Sequence, residues 1–145
     1  MINKNKISNR RDGFTLVETL FSTFILSMVL IGIITILIQA VDISNRIDYE
    51  YTAFNIAKDR LELARTVVHT EGFDALSGLS ETSTMVNEAG DLDAAGDYER
   101  TTAVTESYSS DDRRTKVAVG IYYYYRGNKK TSVPVTMTTV FCNIF

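Results

Sequence analysis

The sequence predicts an α+β protein: a long N-terminal helix, transmembrane in its first half and amphipathic in its second, packed on a small antiparallel β-sheet. Three observations predict it. Residues 19–38 hold no charged side chain and are apolar around the whole circumference of a helix. Residues 42–68 lack both Gly and Pro, the usual breakers, and their apolar positions recur at helical spacing. Residues 97–105, 115–125 and 132–141 are strand-like runs, the latter two with alternating apolar and polar side chains. A helix with one apolar stripe beside a sheet with one apolar face makes a two-layer unit.

The apolar run comes first. A helix of about 20 residues crosses a bilayer core of about 30 Å. Lys4, Lys6, Arg10 and Arg11 precede it, so the positive-inside rule keeps the N-terminus cytoplasmic and sends the C-terminal portion across. Glu18 stands just inside this block. An ionisable group there is costly unless it reaches the interface or a partner, which makes it a functional candidate. A secretory signal would carry a cleavage site of small residues after the apolar region. Gln39-Ala40-Val41-Asp42 offers none. A plain signal anchor is the alternative, and it gives Glu18 no task.

The helix is expected to continue past the membrane. Ile43, Ile47, Tyr51, Phe54, Ala57, Leu61, Ala64 and Val68 form the expected buried stripe, with Asp42, Arg46, Asp48, Glu50, Lys58, Asp59, Arg60, Glu62 and Arg65 between them. One helix from Phe14 to about Thr70 would be roughly 85 Å long at 1.5 Å per residue. Gly32 is a candidate flex point or close-packing site. Glu71-Gly72-Phe73 ends the pattern, and residues 77–96 read as a long surface loop, after a short helical turn near residues 73–76. Residues 106–114 are a charged linker. Arg126-Gly127-Asn128-Lys129 is a turn that makes a hairpin of the last two strands. Pro134, which has no N–H to donate, belongs at a strand start or on an edge.

The 145 residues suit one domain plus an anchor. The net charge is −3. Residues 1–13 hold four basic side chains and one acid, leaving 11 basic against 17 acidic in the rest. Such a balance argues against a nucleic-acid surface, which needs clustered Lys and Arg. Cys142 is the single cysteine, so no internal disulfide forms. Its default reading is a small buried residue, with an intersubunit disulfide as the alternative. His69 suits a helix C-terminus, where a cation is favoured. Tyr122 to Tyr125 read as a strand with aromatics on both faces. Asp91, Asp93 and Gly96 fit positions one, three and six of a calcium loop, with Asp97 beside them. Ala95 cannot ligate, however, and Thr102 stands where the bidentate glutamate belongs. A solvated acidic turn is the preferred reading and calcium the alternative. No phosphate loop, Ser/His/Asp set or metal-ligand cluster is visible, and nothing argues for an enzyme.

Gly13-Phe14-Thr15-Leu16-Val17-Glu18, between a basic segment and the apolar run, resembles the processing site of type IV prepilins and type II secretion pseudopilins. That resemblance implies residues 1–13 as a prepilin leader and 14–40 as the transmembrane and assembly half of the helix. Residues 41–145 would be a pilin-like globular domain that includes the helix's second half. It implies that a prepilin peptidase cuts between Gly13 and Phe14 and methylates Phe14. It also implies that the Glu18 carboxylate pairs with the N-terminal ammonium of a neighbouring subunit, setting register because an uncompensated buried charge is expensive. A carboxylate snorkelling to the headgroups is the alternative for Glu18. The implied partners are that peptidase, other pilins or pseudopilins, and an inner-membrane assembly platform. The implied place is the bacterial inner membrane, single-pass, and then a pilus or pseudopilus. No cofactor is implied, although some pseudopilins bind calcium. Residues 53–65 also resemble the A-x-x-x-A-x-x-x-L-E-x-x-R helix of minor pilins and pseudopilins. The chain departs from major pilins in lacking a proline some twenty residues past the cut and a disulfide-closed loop. The missing proline leaves open whether the helix melts locally on assembly, while the absent disulfide loop and the short sheet domain favour a minor pilin or minor pseudopilin over a major subunit. A type II secretion minor pseudopilin is the alternative, and a membrane-anchored binding module (an adhesin or DNA-uptake receptor) is the alternative of another class.

Overall fold

The computed structural model describes residues 15–125 and 129–143, with 129 and 130 described by their backbone alone. The described chain is a long helix followed by an antiparallel sheet, an α+β layout like that of pilins. Helix α1 spans Leu16–Glu71 without interruption. Gly32 sits within it, and a methyl group placed there would meet nothing within 4 Å. Gly72, with φ of +91°, ends the helix in a conformation that side chains beyond glycine rarely adopt. A 3₁₀ segment, Phe73–Leu79, follows. The chain divides into two compact units, one ending at Asp42 and one spanning Ile43–Phe145.

In the second unit the strands are β1 (Glu81–Val86), β2 (Tyr98–Thr105), β3 (Arg114–Tyr125), β4 (Lys129–Lys130) and β5 (Val135–Cys142). All pairings are antiparallel. β3 is central, with β2 on one side and β5 on the other, while the two-residue β4 pairs with Tyr124 and Tyr125. β1 completes the far edge beyond β2. Pro134 stands immediately before β5, an edge strand, where its missing donor is harmless.

Alternation along the strands decides which side chains meet the helix. Val117, Val119, Ile121 and Tyr123 of β3 are buried, together with Tyr98 of β2 and Val86 of β1. They form one core with Leu76 and with Ala53, Ile56, Ala57 and Ala64 of α1. The helix brings mostly small residues and the sheet the large ones. Tyr49 joins the two layers. Its ring stacks on Tyr123 at 5.8 Å, meets Tyr125 edge-on at 5.9 Å and lies 6.1 Å from Tyr98. Such aromatic pairs contribute about 0.5–1.5 kcal/mol beyond area burial.

The expected helix stripe holds in its second half, where Ala57 and Ala64 are buried and Leu61 and Val68 pack on the core, and the tyrosine cluster corrects its first half. Ile43, Ile47, Tyr51 and Phe54 are exposed, between 44% and 67%. The buried line runs instead through Tyr49, Ala53, Ile56 and Ala57, then Ala64. Both lines have helical spacing, so periodicity alone does not choose between them. Three sheet tyrosines converging on Tyr49 do.

Two further expectations change. Residues 77–96 are not a continuous loop, because β1 lies within them. β1 is polar and carries a bulge: Glu81 pairs with Thr102 and Thr84 with Arg100, so one residue is in excess. Ser83 takes φ of 57° there, and its hydroxyl donates to Glu99 Oε1 at 2.7 Å. Cys142 is exposed at the end of β5, not buried. The expected turn at residues 126–129 falls largely outside the described residues.

Candidate functional site

The site read from the sequence lies at the start of α1. Thr15 precedes the first helical residue and caps it. Its carbonyl accepts from the Glu18 and Thr19 N–H groups at 3.0 and 3.1 Å, and its hydroxyl accepts from the Glu18 N–H at 3.3 Å. Thr15-x-x-Glu18 has the capping-box spacing, and a carboxylate in the first turn also complements the positive end of the helix dipole. Reading the sequence for processing missed Thr15 as a cap, although the Thr-x-x-Glu pattern was there to find it. The Glu18 carboxylate has no ion-pair partner among the described residues. Gly13 and Phe14, the expected cleavage and methylation positions, lie outside the described residues.

Beyond the cap the helix hides its own polar groups. The hydroxyls of Thr19, Ser22, Thr23, Ser27 and Thr35 donate to carbonyls one turn back, at 2.7–2.9 Å. A donor satisfied in this way is tolerated in hydrocarbon, where no water replaces it. The large apolar side chains from Leu16 to Val41 are all open, from 49% exposed (Ile25, Ile33) to 78% (Leu16). Contiguous apolar surface on this scale marks a membrane or protein interaction site. Among the described residues, α1 is the one helix long and apolar enough to cross a membrane.

The other candidates have local tasks. His69 lies exposed in the last turn of α1. Tyr123 donates to Glu50 Oε1 at 3.0 Å from the helix-facing side of β3, and Tyr124 donates to Glu99 Oε2 at 2.9 Å from the other. Asp93 Oδ1 accepts from the Ala95 N–H, and Asn87 Oδ1 accepts from the Ala89 and Asp91 N–H groups, so these side chains shape the turn. The Asp97 carbonyl accepts from the Tyr124 N–H. No group of three or more His, Cys, Asp and Glu is placed to hold a metal among the described residues.

The family described as the prokaryotic N-terminal methylation motif matches residues 8–34. The match takes in Gly13, Phe14, the cap and Glu18, and much of the apolar run. It marks a type IV prepilin-like protein. The motif implies processing by prepilin peptidase and assembly with other pilins, and it points to a structural protein. With the apolar helix it fits a membrane-anchored, single-pass protein. No curated protein and no solved structure matches the chain.

Proposed function

We propose that the chain is a structural subunit, of the minor pilin type, of a type IV pilus-like filament. The observation that carries this reading is a capped helix start whose large apolar side chains, from Leu16 to Val41, all lie open, with the methylation motif matching its first part. In the proposed cycle, residues 1–13 are a leader that keeps the N-terminus cytoplasmic. Cleavage after Gly13 frees the amino group of Phe14, which is methylated. An assembly platform in the inner membrane then moves the helix from lipid into a bundle of like helices.

Glu18 guides that transfer. Its carboxylate sits four residues from the new ammonium, in the first turn of the helix, and pairs with the ammonium of a neighbour. Leaving either charge unpaired in a dry bundle costs about 3–5 kcal/mol, so subunits out of axial register are rejected. The lone Cys142 leaves no intrachain disulfide, which supports a minor over a major subunit.

The test is expression of Gly13 and Glu18 variants beside the wild type. Gly13 substitutions should retain the leader. Glu18→Ala and Glu18→Gln should be cleaved and remain in the membrane, but be absent from sheared filaments. Incorporation of both Glu18 variants at the wild-type level would overturn the register role. Loss of protein secretion, with surface filaments intact, in a strain lacking the chain would replace the pilus with a type II secretion pseudopilus.

A further inference from the structure

The two edges of the sheet differ. Beyond β1 the edge is closed. Asp93 N–H donates to the Met85 carbonyl, Asn87 N–H donates to the Asp91 carbonyl, and Leu92 bridges to Val86. The bulge at Ser83 bends the rest of the strand. Glu81 puts a charge at its start, held by Arg60 and Arg100, whose side chains are only 10% and 8% exposed. Bulges, charges and covering loops are the usual guards against an added strand. Among the described residues β5 has no such guard from Val135 to Cys142: no bulge interrupts its register with β3, and no strand or loop bonds to its outer side. Residues 131–145 hold no charged side chain.

The ladder shows which backbone groups face outward. Asn143 N–H donates to the Arg113 carbonyl at 2.8 Å, one step past the Arg114–Cys142 pair. In an antiparallel ladder, bonded pairs alternate with non-bonded ones. Val135, Met137, Thr139 and Phe141 therefore direct their N–H and C=O groups to β3, and Thr136, Thr138, Val140 and Cys142 direct theirs to the open edge. The far side of β3 agrees. Tyr124 N–H donates to the Asp97 carbonyl at 2.9 Å, which assigns the even-numbered residues of β3 to β2 and the odd-numbered ones to β5. The edge thus offers four donors and four acceptors, spread over about 20 Å at the strand repeat. That row matches the backbone of another extended chain. The side chains of β5 set what such a chain carries. Val135, Met137 and Phe141 pack on the core yet stay half-buried, while Thr138 and Val140 are exposed on the other face. Opposite Met137 and Phe141 an added acid or base would lose water and gain no partner.

We infer that the open edge of β5 takes up an extended, uncharged segment of a different polypeptide as one more strand. A second copy does not fit. Joined about a twofold axis, two β5 strands run antiparallel and so do the two α1 helices, which a shared membrane forbids. A copy in the same orientation presents β1, the closed edge. This exclusion of a second copy rests on the membrane and filament reading; the open edge does not. The test is amide hydrogen exchange followed by NMR on the full chain in detergent. Alone, the amides of Thr136, Thr138, Val140 and Cys142 should exchange freely while those of Met137, Thr139 and Phe141 are protected. The probe is acetyl-Lys-Thr-Val-Thr-Val-Thr-Lys-amide, whose uncharged core is strand-forming. It should protect the four outward amides in a saturable way, and its fully N-methylated analogue should not. Thr138→Pro removes one outward donor, leaves the bonds to β3 in place, and should weaken the probe about tenfold, the scale of one hydrogen bond. Should that variant lose the sheet, the N-methylated analogue decides the same point. No protection by the probe, or equal protection by the analogue, overturns the docking strand. Protection of the four amides in the chain alone also overturns it: a dimer mass then assigns the edge to a second copy, a monomer mass to the chain itself. If Glu18→Ala assembles normally, the filament reading is what fails, and the exchange measurement still decides the edge.

Discussion

Glu18 and Tyr123 show how differently a single side chain acts in the two units. Glu18 lies at the start of a helix whose large apolar side chains from Leu16 to Val41 are all exposed, so on the proposed function its carboxylate acts on what arrives from outside. Tyr123 is 3% exposed, and its hydroxyl donates to Glu50, which Arg46 also holds at 3.0 Å. Tyr123→Phe removes that one hydrogen bond and keeps the ring against Tyr49. It should cost about 1 kcal/mol, the usual net contribution of such a bond, read as a lower urea midpoint with unchanged slope. A loss of several kcal/mol would mean that the hydroxyl also holds the tyrosine cluster together. Arg60 and Arg100 were the least legible residues. In the sequence Arg60 is one of nine charged positions between apolar ones on a helix, and such positions are usually solvated. Arg100 did leave a trace: Tyr98, Arg100, Thr102 and Val104 share one face of β2, and three of the four face the core as uncharged residues.

At the scale of elements, β3 and β5 were legible because alternation over eight or more residues has few other readings, and β2 because its residues are β-rich. β1 was not. Its Glu81-Thr82-Ser83-Thr84 start is polar, and the bulge at Ser83 breaks the alternation that would have revealed it. The helix was legible in length, in type and in which face it buries from Ala57 to Val68, but not in its buried line between Ile43 and Phe54, where tyrosines distant in sequence make the choice. Gly96 belongs to the turn that returns β1 to β2. A methyl group added there would come within 2.1 Å of the Val86 carbonyl oxygen, against backbone that cannot yield cheaply. At Gly120 the added group would meet the Thr101 hydroxyl at 2.9 Å, the end of a side chain. Gly96→Ala should therefore destabilise by about 3 kcal/mol and Gly120→Ala by about 1 kcal/mol, within the range for overpacking. The order of their melting temperatures checks this, and the reverse order would contradict the turn geometry.

The whole molecule joins a unit that is incomplete alone to one with its own core. The globular unit's stability should depend on pH in alkali. Burial raises the hydroxyl pKa of Tyr98 and of Tyr123 above the ordinary 10.0. The unfolded chain therefore ionises these tyrosines first. Stability is fully present below the ordinary value and is lost as pH rises through the folded ones. Urea midpoints should be flat from neutral pH to about 9 and fall above about 10, with a shallower fall in Tyr123→Phe. The helix before Asp42 makes the opposite demand: its open apolar side chains need a hydrophobic surrounding, which on the proposed function is first lipid and then like helices.

Everything in the functional account follows from removal of the basic segment ahead of that helix. The most direct measurement is the intact mass of the chain extracted from membranes of cells that carry a prepilin peptidase. The account predicts the mass of residues 14–145 plus one methyl group, with the methyl on the Phe14 amino group. A chain that retains Met1 to Gly13 in those cells would contradict it.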